Sequence, residues 1–183
     1  MVLKYITNNS SQTKKIGECL AKRILNKKRR GRKAQVLALQ GELGGGKTTF
    51  LQGFARGLGI KEKVLSPTFV ILKKFKISNE NFNFFYHIDC YRIKKPKEVL
   101  SLGFKKITSD PRNIVAVEWA DHIQKVLPPK TILITFEFYN AKHFKVLKRK
   151  AFHGSYNAKH FKVLAKPGSY NKNKRKITVK ISS

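Results

Sequence analysis

Apolar positions along this chain recur with two periods, and their alternation predicts strands and helices in turn. Residues 3–7 read as a first strand. Ser10 or Ser11 would cap a helix running to about Lys28, with Ile16, Cys19, Leu20 and Ile24 on one face. Ala34 to Gln40 is nearly all apolar, the mark of a parallel-sheet strand buried on both faces. Phe50, Leu51, Phe54, Ala55 and Leu58 return to the helical period, which Gly57 and Gly59 close. Pro67 holds Ser66 extended, so 64–69 is a loop entering a strand through Val70-Ile71-Leu72 and the alternating Phe75 and Ile77. After the polar turn Asn79-Glu80-Asn81, Phe82 to Ile88 returns as the antiparallel partner of that strand. Pro96 opens a short helix with Gly103 beyond it. Ile114–Trp119 is a second buried-type strand, and Thr131–Phe138 and Lys176–Ile181 are the last two. This order predicts an α/β fold: a three-layer arrangement around a sheet with parallel core strands and antiparallel additions.

Between the buried strand and the helix after it stands Gly41-Glu42-Leu43-Gly44-Gly45-Gly46-Lys47-Thr48, which fits G-x-x-x-x-G-K-[ST] at every fixed position. Strand, glycine loop, helix is the P-loop context. Glycines let successive backbone N–H groups point inward at a helix N-terminus whose dipole favours anions. Lys47 would reach the β- and γ-phosphates, and the Thr48 hydroxyl would bind Mg²⁺. Nucleotide contacts are expected from Glu42, Leu43, Gly44, Gly45, Gly46, Lys47, Thr48 and Thr49. A plain glycine-rich turn is the alternative, and three glycines, Lys and Thr in register argue against it.

Phosphoryl transfer also needs a carboxylate for the metal and a group that orients the nucleophile. The chain has only ten acids, which makes their placement informative. Asp89 and Glu118 each end an apolar strand, and α/β sheets bind ligands at those ends. Glu118 follows Ile-Val-Ala-Val and is the first choice for the metal. Asp89 is the second acid, as metal support or as the group that positions water.

Charge changes the picture next. Forty Lys and Arg against ten acids leave +30, and from Phe138 to Ser183 there are thirteen Lys or Arg and no acid. Such a surface attracts polyanions, nucleic acid first, although lysine-rich compositional drift would leave a similar trace. The basic run 27–33 reads as a solvated loop. Two cysteines, Cys19 and Cys90, both inside apolar patterns, are expected to be buried thiols of a reducing cytoplasm. No apolar run of about 18 residues and no signal-peptide pattern is present, so a cytoplasmic protein is expected, with no membrane partner.

Tyr139–Leu147 recurs unchanged as Tyr156–Leu164. Too few and too polar for a solenoid, these copies read as a basic duplicated insert, 139–174, in the loop of a terminal hairpin. Its lysines favour a flexible segment. His143, His153 and His160 lie there without the carboxylate or thiol usual in a zinc set. The expected organisation is therefore a P-loop domain over 1–138, the insert, and a final strand of that domain over 175–183.

The residues G-E-L-G-G-G-K-T-T-F at 41–50, S-P-T-F at 66–69, H-I-D-C-Y-R at 87–92 and V-E-W at 117–119 resemble, in order and spacing, the TsaE (YjeE) ATPases. The likeness covers residues 1 to about 138, and the last strand fits the family's end. The resemblance implies a small P-loop ATPase that supports threonylcarbamoyl modification of a tRNA adenosine next to the anticodon. It implies ATP and Mg²⁺ as cofactors and a TsaD-like transferase and a TsaB-like subunit as partners, with tRNA met directly or through the complex. Carried over by position, Lys47 holds the phosphates, Thr48 and Glu118 ligate Mg²⁺, and Asp89 is the other essential acid. Trp119 packs beside the site, and Ser66-Pro67-Thr68 resembles a switch loop in which Thr68 senses the nucleotide. Glu42 stands where the family usually has Asp, and the insert has no counterpart. Two other functions remain open: a small-molecule P-loop kinase, which lacks an Arg-rich lid segment here, and a nucleic-acid-binding protein with a regulatory nucleotide site.

Overall fold

The structure is a computed structural model, and it describes residues 1–26, 31–67, 70–139 and 174–181. Strand β1 (Val2–Thr7) leads into helix α1 (Ser10–Leu25). The cap of α1 is Asn9, one position earlier than expected: its side chain accepts the Gln12 amide at 2.9 Å, and Ser10 is already helical. The helix ends at Leu25, short of Lys28, with the Asn26 amide donating to Lys22 O at 3.0 Å. Its buried stripe is also turned from the expected one. Ile16 and Ile24 are buried as predicted, but Cys19 is exposed, and the stripe is completed by Thr13, Gly17, Glu18 and Ala21. Only Cys90 is a buried thiol, raised by burial to about 12.

The reason for the turn is close packing against α2 (Lys47–Gly57), which follows β2 (Gln35–Gly41). A Cβ on Gly17 would stand 2.2 Å from Phe50 O, and one on Gly53 would stand 1.9 Å from Lys14 O. Small residues at this crossing bring the two backbones together, and the larger Cys19 is left outside.

The remaining elements are β3 (Leu72–Lys76), β4 (Phe84–Asp89), α3 (Pro96–Ser101), α4 (Phe104–Ser109), β5 (Asn113–Glu118), a 3-10 helix (Ala120–Val126), β6 (Ile132–Phe138) and β7 (Arg175–Lys180). Neither α4 nor the 3-10 helix is legible in the pattern. Gly103, expected to end one helix, sits at φ 78° as the left-handed joint between two short ones. Trp119, expected at the end of a strand, lies just past it in the left-handed region at φ 57°.

The seven strands form one sheet in the order β1-β7-β6-β2-β5-β4-β3. β6, β2, β5 and β4 are mutually parallel; β3 pairs antiparallel with β4 at one edge, and at the other β7 is antiparallel to both of its neighbours, β6 and β1. Side chains alternate faces along each strand, so β2 and β5 feed two cores. Leu37, Leu39, Ile114 and Ala116 pack with Phe50 and Phe54 under α1 and α2. Val36, Ala38, Val115 and Val117 pack with Val99, Phe104 and Ile123 on the opposite side. The expected three-layer fold with a parallel core is the observed one.

β6 and β7 are paired, and the Tyr139 amide donates to Lys174 O at 3.1 Å, so the chain leaves and rejoins the sheet at one place. The duplicated segment between them, with His143, His153 and His160, lies outside the described residues, as does 27–30 of the basic run. Among the described residues no helix is long and apolar enough to cross a membrane.

Candidate functional site

The phosphate loop is shaped by its glycines. Gly44 and Gly46 take φ values of 73° and 101°, and Gly41 (φ 134°) lies so near Phe136 that a Cβ would meet its carbonyl oxygen at 2.3 Å. The Gly45 amide closes a turn on Glu42 O at 3.0 Å. Gly46 caps α2 with no side-chain hydrogen bond, so no side chain competes with an anion for the amides of the first turn.

Strand order brings the acids to this loop. β5 lies beside β2, and β4 beside β5, with Asp89 and Glu118 as register partners. The Thr48 hydroxyl, at the start of α2, donates toward both Glu118 oxygens at 3.0 and 2.8 Å. Glu118 is 2% exposed and also accepts from His87 Nε2 at 2.9 Å. Asp89 is as deeply placed: Oδ1 accepts the Tyr91 amide at 2.9 Å, and Oδ2 accepts from the Ser66 hydroxyl. Ser66 thus ties the loop after α2 to the end of β4. Nearby Ile71, a β-branched residue at φ 62°, is strained, a conformation that costs about 1–3 kcal/mol. Thr68 lies outside the described residues.

Lys47 sits over this group. Its Nζ donates to Gly41 O and Glu42 O at 2.7 and 3.0 Å and stands 3.8 Å from the centre of the Trp119 ring. Burial pushes its pKa down, and Glu118, Asp121 and Asp89 pull it back up. Trp119 in turn meets Tyr91 and His122, with centroids 5.1 and 5.9 Å apart. Of the expected positions, then, Lys47, Thr48, Asp89, Glu118 and Trp119 are brought together. Leu43 and Glu42 are exposed at the loop's tip, Leu43 at 75%.

The donor set fits a hard divalent cation. Thr48 and Glu118 supply a hydroxyl and a carboxylate within hydrogen-bond reach of each other, and Mg²⁺ takes few protein ligands, filling its shell with phosphate oxygens and water. No cluster of three or more His, Cys, Asp or Glu suited to a metal occurs among the described residues, as a nitrogen- or sulfur-bound ion would need.

Two parts of the site escape sequence reasoning. His87 was visible only as two positions before Asp89, hence on its face of the strand. The other is a cavity of about 320 Å³ beside the loop, lined by Asn8, Asn9, Thr13, Gly44, Thr49 and Arg175 among others. Arg175 donates to Gly44 O at 3.1 Å and stacks on Phe138, 4.3 Å from its ring centre. These residues come from both ends of the chain, so no local pattern joins them.

Comparison with known proteins gives the family. The family model described as threonylcarbamoyl adenosine biosynthesis protein TsaE matches residues 7–150. The chain is 37% identical over 135 residues to the tRNA threonylcarbamoyladenosine biosynthesis protein TsaE of Bacillus subtilis, covering 74% of this chain and 77% of that one. It is 33% identical over 133 residues to the protein of that name from Rickettsia felis, covering 72% and 71%. Among solved structures, the crystal structure of Bacillus subtilis YdiB aligns with a TM-score of 0.60 and 26% identity, covering 98% of this chain and 84% of that one. On the match of family model, sequence and fold together, this chain belongs to the TsaE family of threonylcarbamoyladenosine biosynthesis proteins.

Proposed function

We propose that this chain is the Mg²⁺-dependent ATPase subunit that supports threonylcarbamoyl modification of a tRNA adenosine next to the anticodon, in complex with a TsaD-like transferase and a TsaB-like subunit. The observation that carries the reading is the Thr48 hydroxyl on the Glu118 carboxylate at 2.8 Å, at the mouth of a glycine loop, with Asp89 in register beside it. The amides of the α2 N-terminus and of the loop hold the phosphates, and Lys47 turns from the Gly41 and Glu42 carbonyls to meet them. Thr48 and Glu118 would hold Mg²⁺, which would supply neutralisation of the phosphate charge. Asp89, fixed by Ser66 and the Tyr91 amide, orients the attacking water, and Ser66 carries that state into the switch loop 66–68.

The base and ribose enter the cavity between Asn8, Thr13 and Arg175. Its polar lining, Asn8 and Arg175 included, suits a polar base and ribose, and the choice of ATP rests on the family likeness. A cytoplasmic location follows from the tRNA substrate. The 139–174 insert is an addition to the β6–β7 hairpin of the ATPase domain.

Direct contact with tRNA is supported by a groove of about 610 Å³ on the outer side of α1 and α2. Lys14, Arg56, Lys61 and Lys63 line it against one acid, Glu62. Lys14, Lys61 and Lys63 have no ion-pair partner among the described residues, which leaves their charge to a polyanion.

The test is ATP hydrolysis measured alone and with the two partner subunits. Slow turnover that the partners stimulate, and that Lys47→Ala and Glu118→Ala abolish, is expected. Phosphate transferred to a small acceptor would favour a kinase instead, and no stimulation together with no association sinks the subunit reading.

A further inference from the structure

Among the buried polar groups at the ends of β4 and β5, His87 has no place in the phosphate and metal contacts described above. It is 0% exposed, and its ring stacks on Phe85 with centroids 6.4 Å apart and planes 17° apart. Its register partner on β5 is Ala116, whose methyl group leaves the imidazole room to lean toward the next residue on that face, Glu118. Nε2 reaches Glu118 Oε1 at 2.9 Å. A carboxylate only accepts, so Nε2 carries the hydrogen and donates. Nδ1 is buried with no hydrogen-bond partner among the described residues.

Packing alone does not account for this choice of side chain. Phe85, two positions earlier on the same face, shows that a phenyl ring fits this layer, and a phenyl ring at 87 would leave no ring nitrogen unpaired. What the imidazole adds is a single bond, the one to Glu118. That bond acts on a carboxylate which Thr48 addresses from the side of α2. His87 holds Oε1 from the β4 side while the Thr48 hydroxyl faces both oxygens, nearer to Oε2, so the carboxylate is fixed from two directions.

We infer that His87 is a positioning residue, which sets the affinity of the nucleotide site for its divalent cation by holding Glu118 toward Thr48. The inference rests on the Mg²⁺–nucleotide reading above. Hydrogen bonds from outside a metal's own ligands orient those ligands, and losing one typically costs about ten- to a hundred-fold in metal affinity. The imidazole touches neither nucleotide nor metal in this arrangement; it acts through Glu118.

Calorimetric binding of a non-hydrolysable ATP analogue, in EDTA and across a Mg²⁺ titration, tests this. His87→Phe keeps the ring and removes the donor. It should bind the analogue in EDTA as the parent does, yet need about ten- to a hundred-fold more Mg²⁺. His87→Gln places an amide N–H near the position of Nε2 and should recover most of the loss. A folded His87→Phe with an unchanged Mg²⁺ requirement overturns the inference. So does a loss of affinity equal with and without Mg²⁺, which would mark a structural role. A parent protein whose analogue binding ignores Mg²⁺ overturns the nucleotide–metal reading itself, and the inference with it. Should His87→Phe fail to fold, ¹⁵N NMR of the parent decides. The His87 Nε2–H resonance must move when Mg²⁺ joins the analogue complex, and an unmoved resonance overturns the role.

Discussion

Lys47 and Trp119 are in contact, the ammonium 3.8 Å from the centre of the indole ring. The contact joins the phosphate loop to the residue that follows Glu118, so a phosphate that draws Lys47 away alters the surroundings of the ring. Trp119 is the sole tryptophan. Its emission is therefore expected to shift on ATP addition, and Lys47→Ala to lose the shift. A spectrum unchanged at saturating ATP would count against Lys47 as the phosphate ligand.

Lys47 also gives a pH dependence. Burial holds its pKa below 10.5, so between that lowered value and 10.5 the unfolded chain binds more protons than the folded one. This group therefore makes stability rise with pH across that window. Lys47→Met should be at least as stable as the parent at neutral pH, with the gap narrowing as pH climbs toward 10.5. Denaturation midpoints of the pair across pH measure it.

Glu18 behaves in the opposite sense. Its carboxylate accepts from Lys22 on its own helix and from Arg56 on α2, both at 2.7 Å. The Lys22 hydrogen bond foremost, with Arg56 and Lys15, outweighs burial and holds its pKa below 4.5. The stabilisation is complete above 4.5 and disappears as pH falls through the lowered value. Because its partners are half exposed, Glu18→Gln should cost only about 1 kcal/mol at neutral pH. The thermal midpoints of variant and parent should converge in acid.

Gly53→Ala tests the crossing of α1 and α2. With Lys14 O standing 1.9 Å from the added carbon, the helices must part. Overpacking of this kind should cost about 3 kcal/mol by chemical denaturation, against the small gain that alanine brings to an open helix site.

The outer groove predicts a salt effect. Lys61→Glu with Lys63→Glu should weaken tRNA binding and leave ATP turnover unchanged. The slope of log affinity against log salt should fall by about 1 for each phosphate that the groove no longer neutralises. An unaltered slope removes the groove as a tRNA-binding surface.

Much of this molecule is written locally in its sequence. The phosphate loop is local: its glycines must take positive φ within a few residues, and Lys and Thr must follow at once, so the requirement is written consecutively. Buried parallel strands such as Val36–Leu39 and Ile114–Val117 face apolar surroundings on both sides, and composition alone reveals them. Short elements were not legible. The six residues of α4 span under two turns, too few for a period to emerge. The face of α1 departs from its apolar pattern at Cys19 because backbone contact with α2 selects Gly17 over larger side chains.

Sequence by itself determined the strand–glycine loop–helix and the two acids at strand ends. Only the tertiary structure decided what those acids meet. Thr48 reaches Glu118 across 70 positions because β5 is the sheet neighbour of β2, and His87 reaches Glu118 because β4 is the neighbour of β5. Arg175 returns to Gly44 across 131 positions because β7 doubles back on β6. Strand order is a property of the whole packed sheet, set by which apolar faces cover one another, and no window of the chain contains it.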